Sequence, residues 1–322
     1  MNEKRSLRRQ NRIHSSAGDK LVKIFAVTFI GLIAILCLYP LLIVLAGSFT
    51  DNFATTQRGF SIIPRLYTIE DLKNNLNPRI GISLDTYKYL FIDKESRTGI
   101  LRSYVVTIGI TVIGTLGAML VTSMISFALS IKDLKYRNAI SFFCNFTIIF
   151  SAGLIPWYIV CRNFYHLGDT YAALILPSMF SVWNMFLLRT YFNSVPVSLY
   201  ESAKLDGANW YQIWWKIALP LNKTAMLTVG MMYTLAYWNE WWNALMFIDD
   251  RKKRPLQFIL YNVMSKITAV SSGKIPAGAN IKLPTETMKM AVTIITIGPI
   301  IFLYPFVQKY FVDGIMTGAV KE

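Results

Sequence analysis

Tyr200-Glu-Ser-Ala-Lys-Leu-Asp-Gly-Ala-Asn-Trp-Tyr-Gln-Ile-Trp-Trp-Lys-Ile-Ala-Leu-Pro220 lies between two apolar runs, Thr170 to Leu188 and one that starts at Thr224. Unlike those runs it mixes charged, small and aromatic residues, and it reads as two short helices meeting at a glycine. Pro196 suits a first helical turn and Val197 to Leu205 are good helix formers. Gly207 then supplies the break that a helix C-terminus takes. A second helix from Asn209 to Ile217 is expected to end at Pro220. The result is an elbow with Glu201 and Asp206 on its polar side and Leu205, Ile213, Trp214 and Ile217 available for packing. Such an elbow fits a cleft in another protein.

The sequence around the elbow sets the fold class. Of the 322 residues, 54% are hydrophobic, above the roughly 45 to 50% of soluble domains. Mean hydropathy is positive, so the chain reads as a membrane protein. The 33 Lys and Arg against 18 Asp and Glu leave a net charge of +15. No nucleic-acid motif accompanies that charge, whereas membrane loops concentrate Lys and Arg to fix orientation.

Residues 1–23 form a basic arm, expected on the cytoplasmic side. The uncharged run Ile24 to Thr50 exceeds the ~20 residues that cross a bilayer, and its length and the lack of a small-residue cleavage site argue against a removed signal peptide. Residues 51–102 are mixed and polar, expected as an extracytoplasmic lobe with a short interfacial helix at Asp85 to Phe91. Ser103 to Ile131 is the second run, in which Gly109, Gly114, Gly117 and Ala118 allow close helix approach. After the basic loop Lys132 to Arg137 come Asn138 to Cys161 and Thr170 to Leu188, and then the elbow, residues 196–221. The fifth run contains Tyr237-Trp-Asn-Glu-Trp-Trp-Asn243. A second external segment, 249–289, holds an expected amphipathic helix from Leu256 to Ile267, and the sixth run is Met290 to Gln308. The chain is therefore all-α, with six transmembrane helices in 24–311, both termini inside and a tail over 312–322. Against the positive-inside tendency, this places the cluster Arg251 to Arg254 outside.

Chemistry within the chain is limited. Cys37, Cys144 and Cys161 lack metal-site or disulfide spacing and read as packing residues. With only His14 and His166 there is no basis for a metal or acid–base site, and there is no Gly-x4-Gly-Lys-Ser/Thr phosphate loop. Any ATP is handled elsewhere. Glu240 is costly near a membrane unless it faces water or a partner; it is expected at an outer mouth, lining a path or bonded to Asn239 or Asn243, or else as an exposed interfacial acid. Trp183, Trp238, Trp241 and Trp242 suit either sugar stacking or interfacial anchoring.

The order Glu201-Ser202-Ala203, Gly207 and Ile217-Ala-Leu-Pro220 resembles the EAA loop of ATP-binding-cassette importer permeases, with Ser202 in place of the usual second Ala. Ser103-Tyr-Val-Val-Thr107, Gly114-Thr115, Ser126-Phe-Ala-Leu-Ser130, Gly153-Leu-Ile-Pro156, Asp206-Gly-Ala208, Tyr237-Trp-Asn239, Pro255-Leu-Gln257 and Tyr304-Pro-Phe-Val-Gln-Lys-Tyr-Phe311 extend the likeness to the carbohydrate-uptake permeases of the LplC type. The resemblance implies a type I importer fold in a bacterial cell membrane. Its implied partners are a second homologous permease, two ATPase subunits that carry the ATP and Mg, and an extracytoplasmic solute-binding protein; the chain itself holds no cofactor. ATPase coupling falls to Glu201, Ser202, Ala203, Leu205, Asp206, Gly207, Ala208, Ile213 and Pro220. The substrate path falls to Trp183, Asn184, Trp238, Asn239, Glu240 and Trp241, and binding-protein docking to Ser271, Ser272, Gly273, Lys274, Ile275 and Pro276. The tail is expected to reach the ATPases. A permease for amino acids, peptides or metal ions, or a membrane sensor, is the alternative.

Overall fold

The computed structural model describes residues 17–67, 69–74, 76–77, 79–92, 94–271 and 286–301. The expected docking residues 272–276, the tail over 312–322, the last part of the sixth run and most of the basic arm lie outside them. The described chain divides into two compact units, 1–84 and 85–322.

In the first unit, α1 (Ala17–Ser48) begins seven residues before the expected Ile24. Its side chains are largely exposed, with Phe25, Ile30 and Leu36 among those left uncovered. A helix that is apolar all round and unburied in its own chain suits lipid. A small lobe follows, made of α2 (Asn52–Arg58), β1 (Arg65–Leu66), α3 (Ile69–Lys73) and β2 (Arg79–Ile80). The two strands pair antiparallel, Arg65 opposite Ile80. Asp51 N donates to Arg65 O and Ser83 N to Phe49 O, which ties the lobe to the end of α1.

The second unit opens with α4 (Asp85–Ile92), the expected short helix, and α5 (Lys94–Ser130). Because α5 starts at Lys94 rather than Ser103, the polar segment is shorter than the sequence implied. Then come α6 (Arg137–Ile149), α7 (Leu154–Ile159) with a π turn over Val160–Phe164, α8 (Ala172–Ile175) with a 3-10 turn over Leu176–Ser178, and α9 (Val182–Asn193). The elbow is α10 (Val197–Leu205) and α11 (Trp210–Ile213), continued by a π turn (Trp214–Ala218) and a last turn, Leu219–Leu221. Beyond it lie α12 (Lys223–Trp238), α13 (Trp242–Phe247), α14 (Leu256–Ser271) and α15 over 286–301.

Among the described residues two helices are long and apolar enough to cross a membrane, Gly18–Ser48 and Gly99–Ser130, or four if each bent pair is one span. The expected third run is one such pair: α6 and α7 meet at 114°. The expected fourth run is another, bent by 51° between α8 and α9. Uninterrupted apolar character does not reveal these turns, because periodicity carries no signal where every face is apolar.

Helix α5 is the post on which this unit is built, packing against α4, α9, α12 and α14. The largest buried cluster joins Ala118 and Phe127 of α5 to Leu188 and Phe192 of α9, Tyr200, Ile213 and Trp214 of the elbow, and Val229, Tyr233 and Tyr237 of α12. Of the glycines expected to admit a neighbour, Gly114 does so most tightly. A Cβ there would stand 2.6 Å from the Tyr237 ring, which is fully buried. At Gly117 the neighbour is the flexible Met179 methyl at 3.0 Å, and Gly109 faces open space, so its expected role in helix approach is not found in this chain.

Tyr237 cannot retreat without losing the bond from its hydroxyl to Ile175 O. Gly114→Ala should therefore destabilise the protein by about 1 to 3 kcal/mol, the usual cost of overpacking, whereas Gly109→Ala should be neutral or slightly stabilising. Thermal unfolding of both purified variants checks this; equal melting temperatures would contradict it.

Candidate functional site

The elbow's shape follows from its caps. Ala208 N donates to Ala203 O at 2.9 Å and Gly207 N to Lys204 O at 3.0 Å. Together these 6→1 and 5→2 bonds form a Schellman motif that satisfies the last carbonyls of α10. Gly207 has φ +84° with no atom of this chain within 4 Å of a notional Cβ, so within the chain the glycine is needed for its backbone angle. Asn209 then opens α11 with a capping box: its side chain accepts from Gln212 N at 2.9 Å, and Gln212 Oε1 accepts from Asn209 N at 2.9 Å. All these bonds are local, which fixes the angle between the two helices.

The faces sort differently from the sequence expectation. Leu205, expected among the packing residues, is 89% exposed. It stands at the tip beside exposed Glu201, Ser202, Asp206 and Gly207, while Ala203 and Ala208 are half-buried and Pro220 is exposed. Ile213, expected both to pack and to lie at the ATPase contact, is fully buried, in keeping with the first. It anchors the inner side with Tyr200 and Trp214. Phe127 packs edge-on against Phe192, Tyr200 and Trp210, with centroids 5.8 to 6.3 Å apart. Burial pushes the Tyr200 phenol up to about 12. Lys204 Nζ lies 4.0 Å from the Trp210 ring centre. The elbow thus has a polar tip with one protruding leucine, on a base fused to α5, α9 and α12.

The residues expected along a substrate path are split. Trp183 is 71% exposed, but Asn184, Trp238 and Glu240 are buried. Trp238 Nε1 donates to Thr296 O at 3.2 Å. Glu240 accepts from Asn243 N at 2.7 Å and from Asn243 Nδ2 at 2.8 Å; it is bonded and enclosed, not an exposed interfacial acid. Asn243 Nδ2 also donates to Ser178 Oγ at 3.2 Å, joining the start of α13 to the turn after α8. Asn239 accepts from Gln257 Nε2, and Trp241 stacks on Tyr261 at 4.8 Å. Two of the cysteines, Cys144 and Cys161, pack in buried clusters, whereas Cys37 is exposed.

One cation of the cluster that ran against the charge rule is paired with an acid distant in sequence, and a second ion pair lies beside it. Lys253 Nζ binds Asp169 Oδ2 at 2.9 Å, and Arg162 Nη2 binds Asp249 Oδ2 at 3.3 Å. Asp169 Oδ1 also accepts from Asp250 N at 3.0 Å. Asp169 itself adopts φ +52°, a conformation that Asp and Asn tolerate. The Lys253 hydrogen bond holds the Asp169 carboxyl below its ordinary value. Sequence reading missed this knot because its halves are about 80 residues apart.

Residues 137–317 match the model of a family described as the binding-protein-dependent transport system inner membrane component. The chain is 33% identical over 303 residues to the polygalacturonan/rhamnogalacturonan transport system permease protein YtcP of Bacillus subtilis, covering 94% of this chain and 99% of that one. Protein LplC of the same organism is 34% identical over 311 residues, 96% of this chain and 98% of that one. Among solved structures, a bacterial ABC transporter involved in the import of the acidic polysaccharide alginate aligns with a TM-score of 0.73 and 28% identity, over 92% of this chain and 98% of that chain.

A depressed carboxyl stabilises the fold above its unfolded pKa, near 3.8, and the benefit disappears as pH falls through the lower folded value. Asp169→Asn, which keeps the left-handed conformation, should lower the melting temperature by a constant amount from pH 8 to about 5, with the gap from wild type closing below about pH 4. A gap that stays open in acid would show that the charge pair is not its source.

Proposed function

The chain belongs to the family of binding-protein-dependent transport system inner membrane components, and from that premise we propose that it is a sugar permease subunit of an ATP-binding-cassette importer, coupled to its ATPases through the elbow. It is a translocation subunit and not itself an enzyme. The observation that carries the coupling reading is the elbow's two-sidedness: its tip is exposed and polar, whereas its base shares one buried cluster with α5, α9 and α12. A surface designed only to sit in solvent has no need of Leu205 at 89% exposure.

In this reading six spans cross the membrane, with both termini and the elbow on the cytoplasmic side. The elbow seats in a groove of an ATPase subunit, which carries ATP and Mg. A second permease completes the passage, and a solute-binding protein delivers cargo from outside, docking at residues 271–276. The segment of residues 249–254 then faces outward, with Lys253 held by Asp169. A saccharide cargo is supported by the names of the relatives, which concern polygalacturonan/rhamnogalacturonan transport and the import of the acidic polysaccharide alginate. ATP binding draws the elbows together and the attached spans follow, opening the passage to the binding protein; hydrolysis reverses the change.

Glu201 is exposed on the docking face and is assigned to a cationic group in the ATPase groove. A hydrogen bond to a charged group contributes roughly 1.5 to 3 kcal/mol, so Glu201→Lys should weaken ATPase binding about 10- to 150-fold. Uptake should be lost while the variant still reaches the membrane in normal amount. Uptake and stimulated ATP hydrolysis at wild-type rates in a reconstituted complex would rule out this role.

A further inference from the structure

The break between α6 and α7 falls inside an uncharged run, and the helices it joins diverge by 114°. Phe150 is extended and Gly153 has φ +82°. Residues 148–156 are all exposed. Phe150 N still donates to Phe146 O, and Gly153 N reaches Ser151 Oγ at 3.3 Å. Among the described residues, the peptide N–H groups of Ser151 and Ala152 meet no acceptor. Irregular backbone of this kind does not face hydrocarbon, where an unpaired peptide group costs several kcal/mol; it occurs at membrane depth only against protein or a wet cavity.

A cavity of about 420 Å³ lies at this break, bounded by Thr147, Phe150, Ser151, Gly153, Trp157 and Trp242. That size falls in the range of about 300 to 1,000 Å³ typical of small-ligand sites. Trp157 and Trp242 are brought together through α13: Trp242 begins it, and Trp157 packs on Phe247 at its end, 5.2 Å between ring centres. Trp242 is 42% exposed. The next residue of α13, Asn243, bonds Ser178, so the irregular points of three successive segments are neighbours. Discontinuous helices that meet in this way mark binding sites in transporters.

The lining has two kinds of surface. The indole and phenyl faces are broad and apolar, while the break offers peptide N–H donors and the hydroxyls of Ser151 and Thr147. A pyranose ring has the matching two kinds, apolar C–H faces with hydroxyls at the rim. An acyl chain would cover the rings and leave the peptide groups unpaired. We propose that this cavity is a saccharide subsite of the translocation path, in which a sugar ring lies against Trp242 and Trp157 and its hydroxyls bond the peptide N–H groups of Ser151 and Ala152. The subsite rests on the importer reading above and assigns the cargo contact to Trp242 rather than to the buried Trp238 and Glu240.

The test uses the complete importer in proteoliposomes, with its second permease, ATPases and solute-binding protein. Labelled oligomers from polygalacturonan, rhamnogalacturonan, arabinan and alginate serve as probes. Import of none of them would overturn both the sugar reading and the subsite. With an imported probe at saturating binding protein, Trp242→Ala should slow uptake about tenfold and Trp242→Phe much less, while binding-protein-stimulated ATP hydrolysis persists in both. In parallel, Ser151→Cys in a chain with Cys37, Cys144 and Cys161 replaced should react with a small maleimide, and the probe should slow that reaction severalfold. Import with unchanged labelling, or a Trp242→Ala variant at wild-type rate, would overturn the subsite alone. A thiol that reacts only when the two permeases are separated would assign the cavity to the permease interface and would also overturn it.

Discussion

A peptide group in hydrocarbon has no water to bond, so an interruption of a membrane helix must be satisfied by neighbouring protein groups or open onto a wet cavity. In the second unit, α5 and α12 do this for the broken helices beside them. Tyr233 Oη accepts from Ser181 N at 3.0 Å, at the break before α9, and shares a 2.7 Å bond with Thr122 of α5. Tyr237 donates to Ile175 O near the end of α8, and Ser126 to Met185 O in the first turns of α9. Thr107 accepts from Leu256 N at the start of α14 at 2.8 Å. These hydroxyls are buried, and each links segments far apart in sequence. Two regular helices thereby support several irregular ones.

The proposed docking role of the elbow draws on the same division of labour. Local caps set the angle within the elbow, so its shape does not depend on the partner. The aromatic base formed by Tyr200, Trp214 and Phe127 then joins it to α5, and through the same buried cluster to α9 and α12. A close-packed cluster of this kind moves as a piece or repacks in discrete steps. In the proposed reading, displacement of the tip is carried through this cluster to α9 and α12.

The parts of this arrangement that were legible in the sequence are those written in local residue choice. Pro196, Gly207 and the Asn209/Gln212 pair announce the elbow, and uncharged runs announce the membrane segments. Which side of the elbow faces inward was not legible. Leu205 and Ile213 are both aliphatic, and only the direction in which the second helix folds back decides that one protrudes and the other is enclosed. The breaks at residues 150–153 and 179–181 were equally hidden, since an apolar run has no polar face to lose; Gly153 and Pro156 were the available signals. Glu240 stood out as a charge, but its enclosure depends on Asn243 one turn later. The Asp169–Lys253 pair could be found only from the fold.

The central claim is that the elbow and the helices it joins move as one body. Spin labels at Leu205 on the tip and at Leu120 on the exposed side of α5 would report it, measured by pulsed dipolar spectroscopy in the full importer with the native cysteines replaced. The account predicts one narrow distance that is the same without nucleotide and in an ATP-trapped state, while the distance from Leu205 to its counterpart on the second permease shortens. A Leu205 to Leu120 distance that shifts or broadens between the two states would contradict it.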